Sequence, residues 1–149
     1  MTILRFITIM VAALSMALAF SHLLQLPPRM SFDGPTWLST QRLFPLYGSI
    51  GAVIAVGAVL LAGILAYAAR PGAASGWTLA GAVCLALALI VWILFVAPAN
   101  ARIGKWTPDS LPADWTRWRR QWEYAHAARA VLLILGLGCL VRSAQLAAG

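Results

Sequence analysis

Leu46–Ala69 reads LYGSIGAVIAVGAVLLAGILAYAA, an apolar stretch with no acidic, basic or histidine side chain. At a rise of about 1.5 Å per residue, a helix of this length crosses the roughly 30 Å hydrocarbon core of a bilayer. Three further runs share its character: Leu4–Leu24, Trp77–Ala99 and Tyr124–Ala148. Runs two and three carry no charge up to Arg70, which closes run two. The 149 residues are 62% hydrophobic and 10% charged, well below the roughly 25% charge of a soluble domain. Little chain is left outside these runs to build a soluble domain. The pattern predicts an all-α integral membrane four-helix bundle, one transmembrane domain over residues 1–149 with spans near 4–24, 46–69, 77–99 and 124–148.

The first run has some marks of a signal peptide: Arg5, an apolar stretch and the small-residue triplet Ala17-Leu18-Ala19. The apolar run continues past that triplet through Leu24, so it is read as a spanning helix. The net charge of +7 belongs to basic loops against anionic headgroups, and no element suited to reading bases is present, so nucleic acid is excluded as a partner. Cys84 and Cys139 each fall inside a predicted span, show no metal-ligand spacing, and read as small buried apolar residues.

With four spans, both termini and the short loop 71–76 share one side of the membrane. The segments 25–45 and 100–123 share the other. Pro27-Pro28 is expected to stop span one, and Pro112 to open the helix that becomes span four. That last helix, from Pro112 to about Ala147, would be roughly 50 Å long, so its N-terminal turns extend beyond the membrane. The two large segments hold Arg29, Arg42, Arg102, Lys105, Arg117, Arg119 and Arg120, against Arg5, Arg70 and Arg142 opposite. The positive-inside rule then places 25–45 and 100–123 in the cytoplasm, with a bacterial inner (plasma) membrane as the setting; Arg5 ahead of span one argues the other way. Small residues recur at helical spacing in span one (Thr8, Ala12, Ser15, Ala19) and span two (Gly48, Gly51, Ala55, Ala58), as faces for close helix packing.

Charged and aromatic residues concentrate in one stretch, Trp115–Arg129, WTRWRRQWEYAHAAR. On a helix Arg119, Glu123 and His126 share one face, and Trp115, Trp118, Trp122 and Arg129 the adjacent one. Arg117, Arg120, Gln121 and Tyr124 point the opposite way. His22 with Gln25 ends span one, Asn100 ends span three, and His126 with Arg129 opens span four. Three spans thus bring ionisable or amide groups to one membrane face, where charge is costly unless paired or wet. Trp37 and Trp106 fit an aromatic belt, and Glu123 fits a pair with Arg119 one turn earlier. Two histidines at one depth suit axial haem ligation, a metal lacking an evident third ligand, or a general base acting on a flat aromatic molecule, with Arg129 or Asn100 at the developing oxyanion.

At these residues the chain resembles the anthrone-oxygenase-like family of small four-helix membrane proteins. The resemblance rests on an ordered set of motifs. They are HLLQLPPR at His22–Arg29, WLSTQ at Trp37–Gln41 with Leu43-Phe44, FVAPAN at Phe95–Asn100 with Trp106-Thr107, and Asp114-Trp115 with RRQWEYAH at Arg119–His126. One position departs: Gln25 stands where the family is expected to carry a glutamate before the Leu-Pro pair. The resemblance implies oxygenation of an anthrone-type polyketide to an anthraquinone with no bound metal or flavin. The expectation is a pocket at one bundle mouth taking a flat hydrophobic or quinone-like molecule. His126, His22 and Asn100 are the catalytic candidates, and Trp115, Trp122, Arg129, Glu123, Gln25 and Arg119 the binding candidates, with His126 favoured as base. No cofactor is expected, haem or a metal at His22 and His126 being the alternative. The competing class is a non-enzymatic accessory or assembly subunit, whose surfaces would meet a membrane-protein partner or a second copy; a transporter fits poorly, because spans two and three lack intramembrane ionisable groups.

Overall fold

The computed structural model describes residues 1–43, 46–69 and 71–147; Phe44, Pro45, Arg70 and Ala148, which figure in the reading above, lie outside the described residues. Helix α1 runs Thr2–Ser31, α2 Gly34–Gln41, α3 Tyr47–Ala68, α4 Ala73–Val91, α5 Ala97–Ile103 and α6 Trp115–Leu146. A wide turn at Trp92–Val96 joins α4 to α5 without a break, so Ala73–Ile103 is one long helix. Among the described residues four helices are long and apolar enough to cross a membrane: Thr2–Ser31, Tyr47–Ala68, Ala73–Ile103 and Trp115–Leu146. The chain is an all-helical integral membrane protein, and large apolar side chains such as Phe6, Val53, Leu60 and Leu135 stand exposed on its outer faces, toward lipid.

Helix α6 packs against α1 and α4, and α3 packs against the same two from the other side. The predicted small-residue stripe of α1 is fully buried: Thr8, Ala12, Ser15 and Ala19 are all at most 3% exposed. In α3 the buried stripe is Ala55, Ala58, Ala62 and Leu65. The closest approach joins α4 and α6 at Gly81 and Gly136. A methyl on Gly81 would lie 2.8 Å from Leu140 Cγ, and one on Gly136 would collide with Leu85 Cδ1. In lipid, where apolar burial supplies no net drive, this backbone proximity is what holds the pair through dispersion. Below it Thr78 and Ser143 share a hydrogen bond of 2.6 Å, and Ser143 also donates to Ala74 O at 2.9 Å.

Three boundaries differ from the sequence reading. Helix α1 passes through Pro27 and Pro28 and ends only at Ser31, where Phe32 turns extended. Proline's fixed φ suits a helix; what it removes is an N–H, here the donors to the carbonyls of Leu23 and Leu24. Helix α6 starts at Trp115, because Leu111, ahead of Pro112, is extended and Pro112 O accepts Trp115 N in a turn (3.1 Å) instead of the first helical turn. Span three likewise continues beyond Pro98 to Ile103. The wide turn before it, with Ala97 N donating to Trp92 O, takes up the proline and re-aims the helix end.

The segment after α1 is compact. Asp33 caps α2 by accepting from Thr36 N at 2.9 Å, and hydrogen bonding from the Thr36 side chain and backbone holds its carboxyl below the usual aspartate range. Gly34 sits so close to the start of α6 and the segment leading into it that an added Cβ would meet Leu111 Cδ1 at 2.6 Å and the Trp115 ring at 3.2 Å. Helix α2 packs at the mouth of the bundle and buries Trp37 and Leu38 there, both at most 1% exposed. Trp37 thus is no belt residue. It belongs with Trp106, Trp122, Val96, Ala99 and Ile103 to a buried aromatic cluster distinct from the alanine-rich core.

Candidate functional site

The site is organised around one carboxylate. Glu123, 1% exposed in the third turn of α6, accepts at Oε1 from Arg29 Nε of α1 and Trp37 Nε1 of α2, each at 2.7 Å. The expected Glu123–Arg119 pair does not form. Arg119 instead donates to Phe32 O at 2.7 Å and stacks on Trp115 at 4.6 Å, fastening α6 to the end of α1. A carboxylate closed from water needs a buried cation, and the continuation of α1 past its prolines is what delivers Arg29.

Trp122, one position earlier, is the central plate. Its Nε1 donates to Asn100 Oδ1 at 2.7 Å, tying α6 to α5. Arg29 lies over its ring at 4.9 Å, and the rings of His22 and His126 stand 5.0 Å and 4.2 Å away. The two imidazoles are in contact, with ring centroids 4.1 Å apart at 33°. They come from α1 and α6, separated by most of the chain, and meet because the buried stripes of both helices end at this depth. Tyr47 of α3 meets His22 edge-on at 5.2 Å and its hydroxyl donates to Leu18 O at 2.7 Å.

Arg129 is nearly buried at 8% exposure and fixes the neighbouring imidazole. Its Nε donates to Ala88 O at 3.2 Å and its Nη1 lies 3.3 Å from His126 Nδ1. A guanidinium only donates, so this bond requires the lone pair of His126 on Nδ1; neutral His126 then carries its hydrogen on Nε2. His22 Nδ1 is buried without a hydrogen-bond partner, a condition that ordinarily costs about 1–3 kcal/mol.

These groups face a cavity of about 330 Å³. Of the residues expected at the site, His22, Gln25, Asn100, Trp122, His126 and Arg129 line it. Trp115, Glu123 and Arg119 do not: Trp115 packs behind the wall against Trp37, 6.4 Å away, Glu123 is sealed beneath Arg29 and Trp37, and Arg119 lies at the rim. Sequence reasoning missed Arg29, Arg42, Gln41, Tyr47 and Trp92, which also line the cavity. The signal for Arg29 was present: His22, Gln25 and Arg29 stand at i, i+3 and i+7, one face of a helix, if Pro27-Pro28 is not read as a stop. Among the described residues no three His, Cys, Asp or Glu side chains are grouped as a metal site, and both cysteines are free thiols.

The chemistry available is a pair of stacked imidazoles beside an indole plate, with amide and guanidinium donors around a largely apolar slot. No curated protein and no solved structure matches the chain at a significant level. The family model described as anthrone oxygenase matches residues 43–139, well over half of the chain, and the protein belongs to that family.

Proposed function

We propose that the protein oxidises a flat anthrone-type ketone to the corresponding quinone with dioxygen, inside the cavity at the bundle mouth. The observation that carries this reading is the contact of the two imidazoles at 4.1 Å against Trp122, on the wall of the cavity at the bundle mouth. An anthrone has a methylene carbon between two aryl rings, opposite its carbonyl, and loss of one methylene proton gives an enolate that reacts directly with O2. His22 is the base. The sequence favours His126, but Arg129 donates into its Nδ1, which leaves its Nε2–H a donor, whereas no cation is hydrogen-bonded to His22.

The balance closes on the substrate's own electrons. His22 takes the first methylene proton; the carbanion gives its electrons to O2, forming a C–O bond; the imidazolium returns the proton to the peroxide. Loss of the second methylene proton breaks the O–O bond, leaving a carbonyl and one water. His126 Nε2–H and the Asn100 amide stabilise the enolate oxygen, and Trp122 holds the ring plane. No metal or flavin is required by this sequence of steps. By the positive-inside rule the mouth, with Lys105, Arg117 and Arg120 around it, faces the cytoplasm.

The test is stoichiometry with isotope. Purified protein in lipid nanodiscs, supplied with anthrone and ¹⁸O2, should form one quinone per O2 consumed, with one ¹⁸O atom in the new carbonyl and the other in water. Quinone formation at the rate of empty nanodiscs would remove the proposal.

A further inference from the structure

The cavity wall carries more positive charge than its own carboxylate cancels. Arg29, Arg42 and Arg129 all line it, and among the described residues the only ion pair is Arg29–Glu123. Arg129 is held by neutral acceptors alone, Ala88 O and His126 Nδ1, while Arg42, exposed at the rim, gives its Nη2 to Trp106 O at 2.6 Å. Arg29 is only partly used. Its Nε serves Glu123, its Nη1 makes a long 3.4 Å contact with Gln25 Oε1, and its Nη2 is buried with no partner. Gln41 Nε2, on the same wall, is likewise buried and unpartnered.

Glu123 Oε2, sealed off from the cavity, is the unpartnered acceptor beside them. On the cavity wall itself the unpartnered Arg29 and Gln41 groups are donors and no carboxylate pairs with Arg129, in a place where uncompensated cations are costly. A neutral ring system filling this space would exclude water and leave the guanidinium groups worse off. An oxyanion corrects the imbalance, since a carboxylate accepts from both N–H edges of a guanidinium. The spacing fits one molecule: His22 and Arg29 lie two turns apart on one face of α1, about 10 Å by helical rise, the reach of a fused tricycle.

We infer that the cavity is built for an acid, a planar polycyclic ketone whose ionised carboxylate docks at Arg29 while its reacting carbon lies at His22. That this acid is the substrate rests on the oxygenase reading above; the anion site itself rests on the arginines. The same oxyanion chemistry would be offered by a lipid headgroup phosphate, and the experiment separates the two.

Isothermal titration of the protein in phosphatidylcholine nanodiscs compares anthraquinone-2-carboxylate with its neutral isostere, anthraquinone-2-carboxamide. The acid is expected to bind about tenfold or more tightly, as charge-assisted bonds to a buried guanidinium require. Arg29→Lys, which keeps the charge opposite Glu123 but loses the planar fork, should cut that preference at least severalfold. Equal affinity for acid and amide would overturn the inference, as would a preference unchanged in Arg29→Lys. A preference abolished by replacing phosphatidylcholine with phosphatidylglycerol would assign the arginines to headgroups and overturn it too. Turnover of a neutral anthrone with equal acid and amide affinity would sink the acid and spare the oxygenase. Strong acid preference with no turnover of any anthrone would do the reverse.

Discussion

At the end of the bundle that holds the termini, helices meet through alanine, glycine and leucine; at the mouth they meet through tryptophan, arginine, histidine and glutamate. The first set solves packing in lipid. Gly81 and Gly136 let two backbones approach, Thr78 and Ser143 satisfy each other, and Arg5 Nε is the buried polar atom there that lacks a partner. The second set solves a different problem. Glu123 is paired with Arg29 and Trp37 through Oε1 alone; its Oε2, and beside it His22 Nδ1, Arg29 Nη2 and Gln41 Nε2, are buried without partners. Packing accounts for the far end apart from Arg5, and ion pairing accounts for Glu123 Oε1. Neither accounts for the wall of the cavity, and that difference separates scaffold from site.

The comparison can be broken most severely at Glu123. Glu123→Ala leaves Arg29 as a buried charge without its counter-ion and should cost about 3–5 kcal/mol, measured by unfolding in mixed detergent. The paired change Glu123→Met with Arg29→Met should recover much of that loss while the acid preference of the cavity disappears. At the far end, Gly136→Leu forces α4 and α6 apart and should cost about 1–3 kcal/mol, with the kcat of the protein that remains folded nearly unchanged. A smaller effect is expected from Thr78→Val, which removes one partner of a buried hydroxyl pair: about 1 kcal/mol of stability and no change in turnover. If Gly136→Leu or Thr78→Val altered ligand affinity as strongly as changes at the mouth, the two ends would not be separable.

The membrane fold was legible because four apolar runs dominate the composition, and the stripe Thr8, Ala12, Ser15, Ala19 pointed directly to the buried face of α1. That His22 and His126 become neighbours also followed from depth along two antiparallel spans. What the sequence hid was pairing across the bundle. A local partner for Glu123 existed at Arg119, and only three-dimensional packing shows that Arg29 and Trp37 take its place. The reading of Pro27-Pro28 as a stop concealed the last turns of α1 and with them Arg29. Trp37 read as an interfacial residue because nothing in its own segment reveals that α2 packs at the mouth. Proline context and inter-helix partners are set by tertiary packing, which periodicity alone does not encode.

The central claim is that the two touching imidazoles divide the work, His22 as base and His126 as fixed donor. It is tested most directly by the kcat of anthrone oxidation in His22→Gln and His126→Gln, measured in nanodiscs beside unfolding curves for both. His22→Gln should lower kcat about 100-fold or more with little loss of stability, and His126→Gln should lower it less. Turnover by His22→Gln at the unmodified rate would contradict the account.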